Sequence, residues 1–149
     1  MEKLMDILLV EDNHLDVELT LDAFREAHLR NTIHVASDGE EALNYVFGRT
    51  VYADREKYPM PGLILLDLKM PRVDGFEVLR QLKSSPIIKR IPVIILTSSQ
   101  EEGDRALSYE IGANSYLVKP VSFEGFLHVV QQIEGYWFSL NVAPPKEGQ

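Results

Sequence analysis

The sequence predicts an α/β fold: one parallel five-stranded sheet sandwiched between two layers of helices. Three observations carry that expectation. Five short apolar runs are spaced along the 149 residues. The segments between them repeat hydrophobic residues at helical intervals. Capping and turn residues stand at the joints. Strand and helix alternating five times imply parallel strands linked by helical crossovers.

Taken in order, the first run is Ile7-Leu8-Leu9-Val10. It is continuous rather than alternating, as a strand covered on both faces should be. Asp12-Asn13 then offers an N-cap to a first helix, where Leu15, Leu19, Ala23 and Ala27 recur every four residues, with Leu21 and Phe24 beside them. Ile33-His34-Val35-Ala36 is the second strand, and Ser37-Asp38 caps a shorter helix marked by Ala42, Tyr45 and Val46. Leu63-Ile64-Leu65-Leu66 and Val93-Ile94-Ile95-Leu96 are two more continuous runs. Between them, Pro71 and Gly75 frame a turn, and Phe76, Leu79 and Leu82 mark the third helix. The fourth helix holds Ala106, Tyr109 and Glu110 and stops at Gly112; Tyr116-Leu117-Val118 is the last strand. A fifth helix runs from Phe123 through Phe126, Leu127, Val130, Ile133 and Trp137 to Phe138. Right-handed crossovers leave few ways to wind such a chain, and the flavodoxin-like doubly wound (βα)5 order, a three-layer sandwich, is the one expected.

One connection is irregular. The stretch from Gly48 through Arg49 to Gly62 is longer than the roughly 2–6 residues usual after such a helix. It reads either as a tolerated surface insertion or as a loop that touches a partner or covers a pocket edge.

Composition narrows the function classes. The chain has 45% hydrophobic and 26% charged residues, which suits a soluble globular domain with its own core. A net charge of −8 disfavours nucleic acid and anionic membrane as partners. There are no cysteines, so disulfides, thiolate zinc sites and thiol catalysis are out. No apolar run approaches the ~20 residues needed to span a bilayer, and the start lacks a secretory h-region, so a cytoplasmic protein is expected. Residues 1–140 read as one domain and 141–149 as a disordered tail.

In an open parallel sheet, functional groups gather beyond the carboxyl ends of the strands. Here strand 1 runs into Glu11 and Asp12, strand 3 into Asp67, strand 4 into Thr97, and strand 5 into Lys119-Pro120. Three carboxylates, a hydroxyl and an ammonium thus converge on one edge. Taken alone, Asp12-Asn13 is a helix cap, Lys119 a solvated strand end and Tyr116 a core residue. Together they point elsewhere. Clustered carboxylates repel unless a cation intervenes, and carboxylate with carbonyl oxygen is the ligand set of Mg²⁺. Asp67 could then remain ionised as a nucleophile toward an activated phosphoryl group, with Mg²⁺, Lys119 and the Thr97 hydroxyl each neutralising or binding an oxygen.

Glu11-Asp12, the stretch Leu65-Leu66-Asp67-Leu68-Lys69-Met70-Pro71-Arg72-Val73-Asp74-Gly75, Thr97-Ser98, and Tyr116-Leu117-Val118-Lys119-Pro120 resemble a response-regulator receiver domain of the CheY type. The resemblance covers residues 6 to about 138. It implies that Asp67 is the phosphoacceptor, Asp12 a direct metal ligand and Glu11 its partner acid, with the backbone carbonyl of Lys69 as the third protein ligand. It further implies phosphoryl binding by Thr97, Ser98 and Lys119, a switch made of Thr97 and Tyr116, and a cis Lys119–Pro120 bond. Lys69 and Ser99 occupy positions that modulate phosphoryl lifetime in the family. The acid pair is Glu-Asp where the family usually has Asp-Asp.

The long loop before strand 3, the stretch from Pro86 to Val93 and the aromatic end Gly135-Tyr136-Trp137-Phe138 resemble, more narrowly, the small response regulators paired with bacterial phytochromes. The implied partners are a sensor histidine kinase, a phytochrome among the candidates, and an unidentified downstream protein reached by protein contact, since no effector domain is attached. Homodimerisation through the face of helix 4, strand 5 and helix 5 is also expected. Trp137 and its neighbours either close the core or form an exposed patch. Two rivals stand: a phosphorylation-independent scaffold, and a Mg²⁺-dependent phosphatase with an aspartyl nucleophile. The latter chemistry wants an acid two residues after the nucleophile, where this chain has Lys69. The four histidines form no metal cluster in this reading.

Overall fold

The computed structural model describes residues 4–135. Trp137, Phe138 and the tail expected at 141–149 lie outside them. The strands are β1 (Ile7–Val10), β2 (Ile33–Ala36), β3 (Leu63–Leu66), β4 (Val93–Thr97) and β5 (Ser115–Val118). They alternate with α1 (His14–Glu26), α2 (Gly39–Val46), α3 (Gly75–Ser84), α4 (Glu102–Ile111) and α5 (Phe123–Ile133). The strands pair in parallel in the order β2-β1-β3-β4-β5, the doubly wound order expected.

Period-two geometry explains the two cores. Alternate residues of each central strand face opposite sides of the sheet. Leu8, Val10, Ile64, Leu66, Val93 and Ile95 pack with α2 and α3 residues such as Ala42, Val46, Val78 and Leu79. Ile7, Leu9, Leu63, Leu65, Ile94 and Leu96 pack instead with Ala23 and Phe24 of α1 and Phe126 and Val130 of α5. β1, β3 and β4 are buried along their whole length, which is why their sequences lack alternation.

Four of the five α-helix starts carry a side-chain cap, two of them at the pairs Asp12-Asn13 and Ser37-Asp38 expected from the sequence, whereas Glu101 before α4 makes no such bond. Asn13, Asp38, Asp74 and Ser122 each accept a backbone N–H from three residues on. Two apolar assignments differ. Leu15 is largely exposed, and the buried face of α1 is Thr20, Ala23 and Phe24. In α4, Tyr109 is exposed and Ser108 is the buried residue.

The long connection forms a short 3-10 turn over Thr50–Ala53 and then folds back on α2. Arg55 binds the last carbonyls of that helix, donating to Tyr45 O at 2.8 Å and Val46 O at 2.6 Å, and also to Tyr58 O at 3.2 Å. The guanidinium thus does the work of a C-cap. The Tyr45 hydroxyl donates to Pro59 O, and Gly62 N–H donates to Asp6 O just before β1. These anchors lie where the strands begin, while the Tyr52 hydroxyl reaches the other end of α2 and donates to Glu41 Oε1 at 2.9 Å.

Candidate functional site

The parallel register brings the ends of β1 and β3 level, because Val10 pairs with Leu66. The residues that follow, Glu11 and Asp67, therefore emerge side by side at the sheet edge. Both are buried, whereas Asp12 is exposed at the rim. Oxygens of Glu11, Asp12 and Asp67 lie within 4.8 Å of one another. Gly75 makes this edge reachable for α3: a Cβ there would stand 2.2 Å from the Asp67 carbonyl, and the Gly75 N–H donates to Leu68 O.

Each Asp67 oxygen has its own environment. Oδ1 accepts the N–H of Leu68 at 2.8 Å, while Oδ2 faces the Lys119 ammonium at 3.3 Å. Lys119 is brought in by its backbone, whose N–H donates to Thr97 O at 2.7 Å. Its Nζ also reaches Glu11 Oε1 at 2.5 Å and Asp16 Oδ2 at 2.8 Å. Asp16 belongs to the first turn of α1 and was not singled out by sequence reasoning. Its partner lies 103 residues away, so no local pattern reveals the pair.

Burial and neighbouring charges act together on the two central groups. Burial pushes Glu11 up to about 7, reinforced by the Asp67 charge and resisted by the Lys119 hydrogen bond. For Lys119, burial opposes the charged form, but the hydrogen bonds it donates to Asp16 and Glu11 and the field of Asp67 outweigh it, and its pKa is raised. Three carboxylates, Glu11, Asp16 and Asp67, share one ammonium here, and Asp12 adds a fourth beside them.

The donor set suits a hard divalent cation. Three carboxylates within one ion's reach, two of them buried, offer only oxygen, the ligand type of Mg²⁺, Mn²⁺ and Ca²⁺. Beside them opens a groove of about 470 Å³ lined by Asp12, Leu68, Lys69, Met70, Pro71, Asp74 and Phe76. The Lys69 ammonium does not turn into the pocket as an extra phosphate ligand. It pairs with Asp104 of α4 at 3.4 Å.

The remaining predicted residues lie along β4 and β5. Thr97 is fully buried at the end of β4, and its Oγ1 accepts the Ser99 N–H at 3.4 Å, with Ser98 between them. Tyr116 packs against the core below and donates its hydroxyl to Ser99 O at 3.0 Å. Ser99 Oγ donates to Asp104 Oδ2 at 2.7 Å, and that hydrogen bond, aided by Lys69, holds the Asp104 carboxyl below its usual range although burial opposes it. Sequence reasoning missed Asp104; Ser99, five residues earlier, was its nearest signal.

One expectation fails. No peptide bond among the described residues is cis, so Lys119–Pro120 is trans. Trans is the intrinsically preferred isomer even before proline. With it, Lys119 already makes both its backbone bond to Thr97 and its carboxylate contacts, so nothing in this geometry calls for cis. Among the described residues no helix is long and apolar enough to cross a membrane.

Comparison with known proteins agrees with this geometry. The family described as the response regulator receiver domain matches residues 7–131. The response regulator Rcp1 of Synechocystis sp. is 38% identical over 138 residues, covering 93% of this chain and 92% of Rcp1. The crystal structure of its Mn(2+)-bound form superposes with a TM-score of 0.85 at 37% identity, covering 95% of this chain and all of that one. The phosphorylated cyanobacterial phytochrome response regulator RcpA gives a TM-score of 0.89 at 36% identity, over 96% of this chain and all of RcpA. The bacteriophytochrome response regulator AtBRR is 46% identical, with a TM-score of 0.75 over 95% of this chain and all of AtBRR.

Proposed function

The chain belongs to the response-regulator receiver family, and from that premise we propose that Asp67 accepts a phosphoryl group from a sensor histidine kinase and that the modified domain changes its protein contacts. The observation that carries this reading is the convergence of Glu11, Asp12 and Asp67 on one cation-sized space, with the Lys119 ammonium facing Asp67.

In the proposed step, an Asp67 carboxylate oxygen attacks phosphorus. The O–P bond forms as the N–P bond of the donor phosphohistidine breaks, and the leaving imidazole is released to take up a proton. The chain's own work is positioning and charge placement. Leu68 N–H holds Oδ1, which orients the carboxylate. Lys119 offers its ammonium to a phosphoryl oxygen, and the hydroxyls of Thr97, the last residue of β4, and of Ser98 just after it are proposed to bind the same group. Glu11, Asp12, Asp67 and the Lys69 carbonyl are the groups assigned to Mg²⁺; the bound ion would supply charge neutralisation of the incoming phosphoryl group. Support for a divalent ion comes from the oxygen cluster and from the Mn(2+)-bound form of Rcp1.

The domain is proposed to act as a switch, not an enzyme. Lys69 stands where an aspartyl phosphatase needs a second acid, and its ammonium is engaged by Asp104. Thr97 and Tyr116 are the proposed switch pair. A kinase of the phytochrome class is the favoured donor, because RcpA and AtBRR are phytochrome response regulators and are alike over nearly the whole chain. Homodimerisation is proposed through α4, β5 and α5: β5 is an edge strand, and Tyr109 of α4 and Val118 at the end of β5 are exposed.

The decisive experiment is labelling. With Mg²⁺ and a small phosphodonor such as acetyl phosphate, or a phytochrome kinase, the wild type should acquire an acid-stable, base-labile phosphoryl group and Asp67→Asn should acquire none. Equal labelling of the two proteins would overturn the assignment.

A further inference from the structure

We propose that Asp16 is a positioning residue for phosphoryl transfer: it holds the Lys119 ammonium beside Asp67 without letting it close onto the nucleophilic oxygen. The proposal rests on Asp67 being the phosphoacceptor.

An ammonium has three donors and no acceptor. Lys119 is nearly buried and meets three carboxylates, at 2.5 Å from Glu11, 2.8 Å from Asp16 and 3.3 Å from Asp67. Its donors are thus committed, and the ammonium sits nearer the two residues that do not react. Charge-assisted contacts strengthen as they shorten, so Glu11 and Asp16 together draw Lys119 away from Asp67. The two anchors are not equivalent. Glu11 belongs to the oxygen cluster that suits a divalent ion, whereas Asp16 lies outside that cluster. A carboxylate shared with a cation attracts an ammonium less, which leaves Asp16 as the anchor that persists.

Asp16 is also well placed to serve as a fixed point. It occupies the first turn of α1, where its own N–H is capped by Asn13 Oδ1 at 3.0 Å. The helix start therefore sets where its carboxylate stands. Without it, Lys119 would settle between Glu11 and Asp67 and occupy the lone pairs that must attack phosphorus. The same shift would take the ammonium from the place where phosphoryl oxygens need it.

The test compares wild type, Asp16→Asn, Asp16→Glu and Lys119→Met, with the Asp16→Asn change also made in the Lys119→Met background. Initial phosphorylation by acetyl phosphate with Mg²⁺ should slow roughly tenfold in Asp16→Asn, the order expected when a hydrogen bond between charged groups is lost. Asp16→Glu should recover part of the rate. In the Lys119→Met background the Asp16→Asn change should add nothing, because a residue acting through Lys119 has no effect once Lys119 is gone. In metal-free protein, the hydrogen-bonded Lys119 ammonium signal in ¹H–¹⁵N spectra should shift or broaden in Asp16→Asn, whatever the activity. Wild-type rates in Asp16→Asn, or equal slowing with and without Lys119, would overturn the role of Asp16 while labelling of wild type but not Asp67→Asn left the phosphoacceptor assignment standing. A wild type that takes no label would instead remove the premise.

Discussion

Lys83 and Lys119 are both ammonium groups drawn partly out of water, yet their surroundings differ in kind. Lys83 donates to Lys89 O and Ile91 O, each at 3.0 Å, and burial lowers its pKa. Neutral carbonyls satisfy its donors without countering its charge. Lys119 has carboxylates instead, and its charge is secured. Side-chain environment, rather than residue type, separates the two lysines. The tyrosines Tyr45 and Tyr52 are perturbed as well. Burial raises Tyr45 to about 12, helped by the Asp6 charge, and burial with the Glu41 hydrogen bond raises Tyr52 to about 12. Unfolded tyrosine ionises near pH ~10. Below that pH both states hold the phenolic protons and the contribution is fully present. Between about 10 and about 12 the unfolded chain loses protons that the folded chain keeps, so stability falls as pH rises. Denaturant unfolding measured across that range should show this decline, and Tyr45→Phe or Tyr52→Phe should flatten it. At neutral pH, Tyr45→Phe should cost about 1 kcal/mol for its bond to Pro59 O. An unchanged alkaline slope in both variants would contradict the assignment.

At the scale of elements, β1, β3 and β4 were readable because complete burial writes an unbroken apolar run. α1 was harder. Leu15, Leu19, Ala23 and Ala27 recur every four residues, but at 3.6 residues per turn such a row slips about 40° at each step. Over three steps it winds from one face toward another, so Leu15 meets solvent while Ala23 is buried. The buried Thr20 escapes a purely apolar pattern because its hydroxyl is satisfied by Asp16 O at 2.8 Å. The strand-end residues Glu11, Asp67, Thr97 and Lys119 were legible because chain order along parallel strands projects them to one edge. Asp16 was not, since its role depends on a partner that only the folded chain supplies. Gly75 was legible as a turn residue, and its second role appeared only in three dimensions. Its missing Cβ lets α3 start against the backbone of Asp67 and Leu68. Gly75→Ala should therefore destabilise the fold by about 1–3 kcal/mol, the range for forced overpacking. A denaturation midpoint equal to wild type, with the Asp67 neighbourhood undisturbed, would show that α3 yields freely.

For the whole molecule, the question raised by the proposed phosphorylation is how a charge added at Asp67 would reach a surface where a partner could sense it. A phosphoryl group changes a local charge, and a global response needs an element with two arrangements that this charge biases. A connected set of contacts leads outward from the pocket. Thr97 Oγ1 accepts from Ser99 N–H, Ser99 Oγ donates to Asp104 at the start of α4, and Tyr116 from β5 donates to Ser99 O. Lys69, two residues after Asp67, pairs with the same Asp104. These contacts, read as a route for the charge, make a specific prediction. Beryllofluoride with Mg²⁺ should shift amide signals of Asp67 and Thr97 and also those of Ser99, Asp104 and the following turn of α4. Ser99→Ala removes the hydroxyl bond to Asp104 without touching a pocket carboxylate. In that variant the pocket shifts should persist while those in α4 shrink. If α4 responded as fully in Ser99→Ala as in wild type, the signal would have to leave the pocket by another route, and the Ser99–Asp104 contact would be packing alone.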